Sequence, residues 1–270
     1  MFQLLPLIAT ILTLTSTVAS TGLLVPLYAW PGTDAWNTIY DTIAAHPSIP
    51  FYLIINPSTG PGTTEYPEDV FITAIAKLNS YSNTEVLGYT YTKQGTRASS
   101  EVEHDIATYA NWASYTMQDI RLSGIFFDEA PNGEDQSKLA YFQSLSRKSK
   151  NSSLNTVVFN PGVKLKADVA EWFEAAEFIV EYENTYASWV ARTPVEHFLT
   201  PEQYGKDAVI LNKTPEDAGI DDVVRLAKDM GLGAIYLASD DNYMSLATVP
   251  KVAVAVAQSR GARRRGFNGY

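Results

Sequence analysis

The chain has 270 residues, 46% of them hydrophobic and 19% charged, with no cysteine and a formal net charge of −10 at pH 7. The absence of cysteine excludes thiol catalysis, thiolate metal sites and a disulfide framework. The acidic balance argues against a nucleic-acid partner, whose phosphates require a basic footprint. The length suits one large domain, and the composition is that of an ordinary globular protein.

At the start of the chain, Leu4 to Ala19 is an apolar run interrupted by Pro6 and several threonines and serines. It is too short and too polar for a membrane span. It closes on Thr17-Val18-Ala19-Ser20, small residues that suit signal peptidase. Residues 1–20 therefore read as a signal peptide, although the basic residues that usually open one are missing. The expected destination is extracellular or cell-wall associated, with no membrane contact after cleavage. Two glycosylation sequons, Asn151-Ser152-Ser153 and Asn212-Lys213-Thr214, agree with export.

Eight strand-length apolar runs follow: Gly22–Ala29, Phe51–Ile55, Glu85–Tyr91, Gly124–Asp128, Thr156–Asn160, Phe178–Glu183, Ala208–Asn212 and Ala234–Ala238. Their nearly continuous hydrophobicity is that of parallel strands covered on both faces. Helical periods separate them. Trp36, Ile39, Tyr40 and Ile43 make one apolar stripe, and Val70, Ile72, Ile75 and Leu78 another. Ser99-Ser100-Glu101 opens a helix through Ile106, Tyr109 and Trp112. Leu139, Phe142 and Leu145 mark the next, then Val169, Trp172 and Phe173, then Val223, Leu226 and Met230 closed by Gly231, and last Val249 to Val256. Beyond it, residues 259–270 carry Arg263-Arg264-Arg265 among glycines and read as a solvated basic tail.

Alternation of this kind means a parallel sheet with helices outside it. Eight units in residues 21–258 match a closed (β/α)8 barrel (a TIM barrel) in one domain. The turn after the first strand, Ala29-Trp30-Pro31-Gly32-Thr33, lacks the glycine spacing of an open dinucleotide-binding sheet.

In such a barrel the chemistry sits where the strands end. Those ends carry Tyr28 and Trp30, Asn56, Tyr89 and Tyr91, Asp128-Glu129, Asn160, Glu181-Tyr182-Glu183, Asn212 and Asp240. The three histidines, His46, His104 and His197, fall elsewhere, which disfavours a histidine metal site or a Ser-His-Asp triad. Neither a metal nor a cofactor is expected. Aromatic faces, amides and acids together suit a carbohydrate. Tyr28, Trp30, Asn56, Tyr89, Tyr91, Asn160, Asn212 and Asp240 are the expected substrate-binding residues.

Each has a plainer role open to it. Strand-end aromatics often pack beneath loops, and Asn-Pro pairs are turn signals. Asp128-Glu129 is harder to explain that way, because two acids close the apolar run Gly124-Ile125-Phe126-Phe127 and burying either without a task is costly. Glycoside hydrolysis needs two separated carboxyl groups, and Glu183 is the natural second. Glu181 shares its face by strand alternation but sits deeper, and is the second choice. Strands four and six lie roughly 9–10 Å apart from a ~4.8 Å spacing, which leaves retaining, inverting and substrate-assisted chemistry all open.

The segments Val25-Pro26-Leu27-Tyr28, Ile55-Asn56-Pro57-Ser58-Thr59-Gly60-Pro61-Gly62, Gly88-Tyr89-Thr90-Tyr91, Gly124-Ile125-Phe126-Phe127-Asp128-Glu129 and Phe159-Asn160-Pro161-Gly162 resemble spherulation-specific family 4, classed as glycoside hydrolase family 135. The resemblance runs from Gly22 to about Val256. It implies a secreted fungal (β/α)8 endo-hydrolase acting on galactosaminogalactan within N-acetylgalactosamine-rich stretches. It also implies a catalytic set of Asp128, Glu129 and Glu183. In that scheme Asp128 or Glu129 protonates the leaving oxygen and Glu183 is base or nucleophile. In a substrate-assisted variant, Asp128 orients the acetamide and Glu129 gives the proton. The polysaccharide is the expected partner and a monomer the expected state. A non-catalytic polysaccharide-binding wall or spore-coat protein on the same barrel is the rival reading.

Overall fold

The computed structural model describes residues 21–32, 34–191 and 199–258. The expected signal peptide, the basic tail and His197 lie outside the described residues. Eight parallel strands close into a barrel in chain order: β1 (Gly22–Leu27), β2 (Phe51–Ile55), β3 (Thr84–Tyr91), β4 (Gly124–Asp128), β5 (Thr156–Phe159), β6 (Phe178–Thr185), β7 (Asp207–Asn212) and β8 (Ala234–Leu237). Around them lie α1 (Asn37–Ala45), α2 (Asp69–Asn79), α3 (Ser99–Asn111), α4 (Gln136–Asn151), α5 (Val169–Ala175), α6 (Tyr186–Val190), α7 (Ile220–Met230) and α8 (Val249–Ala257). The chain is a single (β/α)8 barrel.

The strands form because their residues are buried on both faces. β1, β5 and β8 are buried throughout, as is β4 up to Asp128. Pro26 within β1 looks anomalous, since proline cannot donate to a ladder. Pairing of β1 with β8 ends at Leu23↔Ile235, so Pro26 has a strand neighbour only in β2.

The helices follow their apolar stripes. Asp135 caps α4 by accepting from the Ser137 amide at 3.0 Å. Gly231 ends α7 with φ +80°, the left-handed conformation that glycine adopts without strain. Trp112, expected at the end of α3, lies in a 3-10 turn over Trp112–Ser114, and Leu226 is exposed rather than part of the α7 stripe. The unit after β6 is the least regular: α6 has five residues, and a 3-10 segment (Pro201–Lys206) leads into β7.

Two packing details position the ends of the strands at the barrel mouth. A Cβ on Gly88 would lie 2.7 Å from the Tyr109 ring, so glycine lets α3 pack flush on β3. The Tyr109 hydroxyl then donates to the Tyr89 carbonyl at 2.8 Å. Behind the same strand, Arg97 donates to Asp105 at 2.6 Å and to the Tyr91 carbonyl at 3.2 Å, while Thr90 donates to Asp105 at 2.5 Å. This largely buried ion pair ties the loop after β3 to α3.

Candidate active site

Asp128, the last residue of β4, stands at the barrel mouth with both oxygens engaged. The Tyr89 hydroxyl donates to Oδ2 at 2.8 Å, and Asn160 Nδ2 donates to Oδ1 at 2.8 Å. The same nitrogen donates to Glu183 Oε2 at 2.6 Å. An amide nitrogen has two hydrogens, so Asn160 gives one to each carboxyl and ties the two groups together. Glu183 Oε1 accepts from the Tyr243 hydroxyl at 2.5 Å. Because Asp128 Oδ1 and Glu183 Oε2 share one donor atom, they lie no farther apart than the two bonds laid end to end. That ceiling of about 5.4 Å lies below the ~6.5–9.5 Å separation of inverting glycosidases.

Three tyrosines wall the pair. Tyr28 meets Tyr89 and Tyr243 edge-on, with ring centroids 5.8 and 6.0 Å away. Burial, reinforced by the nearby carboxylates, pushes the phenols of Tyr28, Tyr89 and Tyr243 well above the ordinary value, so all three stay neutral donors. Tyr89 and Tyr243 spend their protons on the two acids. The Tyr28 hydroxyl has no hydrogen-bond partner among the described residues.

Burial raises the pKa of Glu183. The hydrogen bonds from Tyr243 and Asn160 pull it down, and the charge of Asp128 raises it further, leaving a net rise. Glu129 differs from both. It is exposed, with φ +52°, and its carbonyl accepts from the Gln94 amide and the Thr92 hydroxyl. Of the eight described non-glycine residues with positive φ, all but Ser153 lie in loops that follow strands. That conformation is uncommon, and its concentration in the loops at the strand ends is what a functional site leads one to expect.

The other expected residues divide. Asn212 reaches the Tyr243 hydroxyl at 3.5 Å, at the edge of the site. Asp240 accepts from the Met244 and Ser245 amides at 3.0 and 2.9 Å, shaping the turn that carries Tyr243. Trp30 is 44% exposed on the rim, its ring edge-on to Phe71 at 5.1 Å. Asn56 accepts from the Gly60 amide at 2.9 Å and so serves its own turn. Tyr91 lies under the Arg97 guanidinium, 4.6 Å from the ring. Neither Asn56 nor Tyr91 is hydrogen-bonded to the carboxyl pair.

Glu181 corrects the alternation argument. The register of β6 against β7 shifts between Val180 and Tyr182, a bulge that breaks the two-residue period. Glu181 is consequently fully buried, bonded to the Leu165 amide and the Thr200 hydroxyl, each at 3.0 Å. Glu183 alone of the two reaches the mouth. Tyr243 was missed because it comes from a loop, six residues past β8, and its only sequence signal is an aromatic after Asp240-Asp241-Asn242. No cluster of histidine and carboxylate side chains able to hold a metal occurs among the described residues.

The profile of spherulation-specific family 4 matches residues 22–257. Spherulin-4 of Physarum polycephalum is 33% identical over 181 residues, covering 64% of this chain and 49% of the relative. The chain thus spans about half the length of that curated relative. The crystal structure of Aspergillus clavatus Sph3 in complex with GalNAc superposes with a TM-score of 0.81 at 29% identity, covering 89% of this chain and 98% of that one. An endo-1,4-β-mannanase from Rhizomucor miehei, at 11% identity and TM-score 0.55 over 88% of this chain and 95% of that one, shares the fold.

Proposed function

The chain belongs to spherulation-specific family 4, and we propose that it is a secreted, endo-acting glycoside hydrolase cleaving N-acetylgalactosamine-containing polysaccharide of the galactosaminogalactan type. The observation that carries the reading is the Asp128–Asn160–Glu183 arrangement, two carboxyl groups joined through one amide nitrogen at the mouth of a glycosidase-like barrel. The GalNAc bound by Sph3 supports the choice of sugar.

Glu183 is the proton donor, since burial holds its proton to higher pH than an ordinary glutamic acid. Asp128, fixed by Tyr89 and Asn160, is the partner that attacks the anomeric carbon or orients the substrate acetamide for attack. This reverses the roles expected from the sequence, because there the burial of Glu183 could not be seen. Glu129, exposed beside them, contacts the sugar. Retention of anomeric configuration follows from the close carboxyl spacing. Exposed Trp30, Val163 and Met244, on loops after β1, β5 and β8, offer apolar faces to a chain lying across the mouth.

The test is incubation with N-acetylated and with deacetylated galactosamine polymers. New reducing ends and mid-sized fragments from the acetylated polymer are expected. Binding without cleavage of any polymer would favour a wall-binding protein instead.

A further inference from the structure

Away from the catalytic pair, a second pair of carboxyl groups is sealed inside the protein. Glu181 in β6 and Asp207 at the start of β7 are both fully buried. Asp207 pairs in register with Ile179, so the bulge at Glu181 brings the two acids together on neighbouring strands. Glu181 Oε1 accepts from the Leu165 amide and the Thr200 hydroxyl. Its Oε2 and both oxygens of Asp207 have no hydrogen-bond donor among the described residues. Three buried acceptors without donors would be costly, and two ionised carboxylates side by side costlier still.

One proton resolves most of this. A protonated Asp207 donates to Glu181 Oε2, which leaves a single carbonyl oxygen unpaired while Glu181 Oε1 still accepts from Leu165 and Thr200. We propose that Glu181 and Asp207 share one proton in the folded protein and act as a pH-sensitive latch that pins the loop after β5 onto β6, behind the active site. Burial, then the charge of Glu181 and a hydrogen bond to it, push Asp207 up to about 9. The nearby Thr200 backbone and Lys164, on the same loop as Leu165, oppose this and are outweighed.

The latch reaches the catalytic residues through backbone. Leu165, held by Glu181, follows Gly162, whose amide donates to the Val180 carbonyl and whose carbonyl accepts from the Glu183 amide, at 3.0 Å each. Two residues before Gly162 is Asn160, the amide that bridges Asp128 and Glu183. Glu181 and Asp207 are thus positioning residues, and their effect on turnover rests on the hydrolase reading. Their titration does not.

The folded state holds a proton that the unfolded chain releases near the ordinary carboxylate pKa of about 3.9. The contribution of the pair to stability is therefore complete below that value and falls as pH rises toward about 9, by up to a factor of ten in the folding constant per pH unit. Asp207→Asn replaces the shared proton with a permanent amide donor to Glu181. Urea unfolding from pH 5 to pH 8 should show the ratio of wild-type to variant folding constants dropping by nearly tenfold per unit. Parallel pH dependence in the two proteins would overturn the proposal. Should the variant not fold, carboxyl-labelled aspartate in the wild-type protein gives the answer by NMR. One aspartate should remain protonated above pH 7, with the Leu165 amide shift following its titration. Aspartates that all ionise below pH 6 would overturn the proposal equally.

Discussion

Asn160 is the residue on which the site turns. Its Nδ2 serves both carboxyl groups, so Asn160→Asp would put a third carboxyl against the other two, and Asn160→Ala would leave both without that donor. We expect either change to lower kcat/KM by roughly 10²-fold or more while the barrel stays folded, as judged by circular dichroism. Tyr243 gives a sharper test. Its hydrogen bond lowers the pKa of Glu183 against the rise caused by burial, so Tyr243→Phe lets that pKa climb. If Glu183 must be protonated to act, the alkaline limb of the kcat/KM profile moves to higher pH in the variant. An unmoved limb, or one moved down, would remove Glu183 from the role of acid. Since its folded pKa is raised, Glu183 also favours folding at low pH, and that contribution fades as pH rises through its folded value.

At the scale of elements, the strands were readable because burial on both faces writes a continuous apolar run. Phe51–Ile55 and Gly124–Asp128 match the structure residue for residue, and the other six strands agree to within two residues at each end. The failures sit where tertiary structure overrides local pattern. Alternation places Glu181 on the face of Glu183, only deeper, but the bulge in β6 answers to Asp207 on the next strand, 26 positions along the chain, which no local period encodes. Tyr243 and the Asn160 bridge were hidden for the same reason: each depends on which loops meet across the mouth. Asn160 was expected to bind sugar, and its place between the two acids emerged only from the geometry. The Arg97–Asp105 pair behind β3 is another nonlocal device. Arg97→Met would leave Asp105 charged and largely buried, and urea denaturation should show a loss of about 3 kcal/mol. A loss below 1 kcal/mol would mean that solvent screens the pair.

For the molecule as a whole, the repeated strand-helix units predicted a barrel, and closure from β8 to β1 completes it. What the barrel could not convey is function, since one fold hosts many chemistries. The hydrolase reading rests on two carboxyl groups, on their separation, and on family membership over residues 22–257. The direct test compares wild-type protein with Asp128→Asn and Glu183→Gln on N-acetylated galactosamine polymer, following release of reducing ends. We predict steady release by the wild type and a fall of roughly 10²–10⁴-fold in each folded variant. Equal release by all three, or none by the wild type on that polymer, would contradict the account.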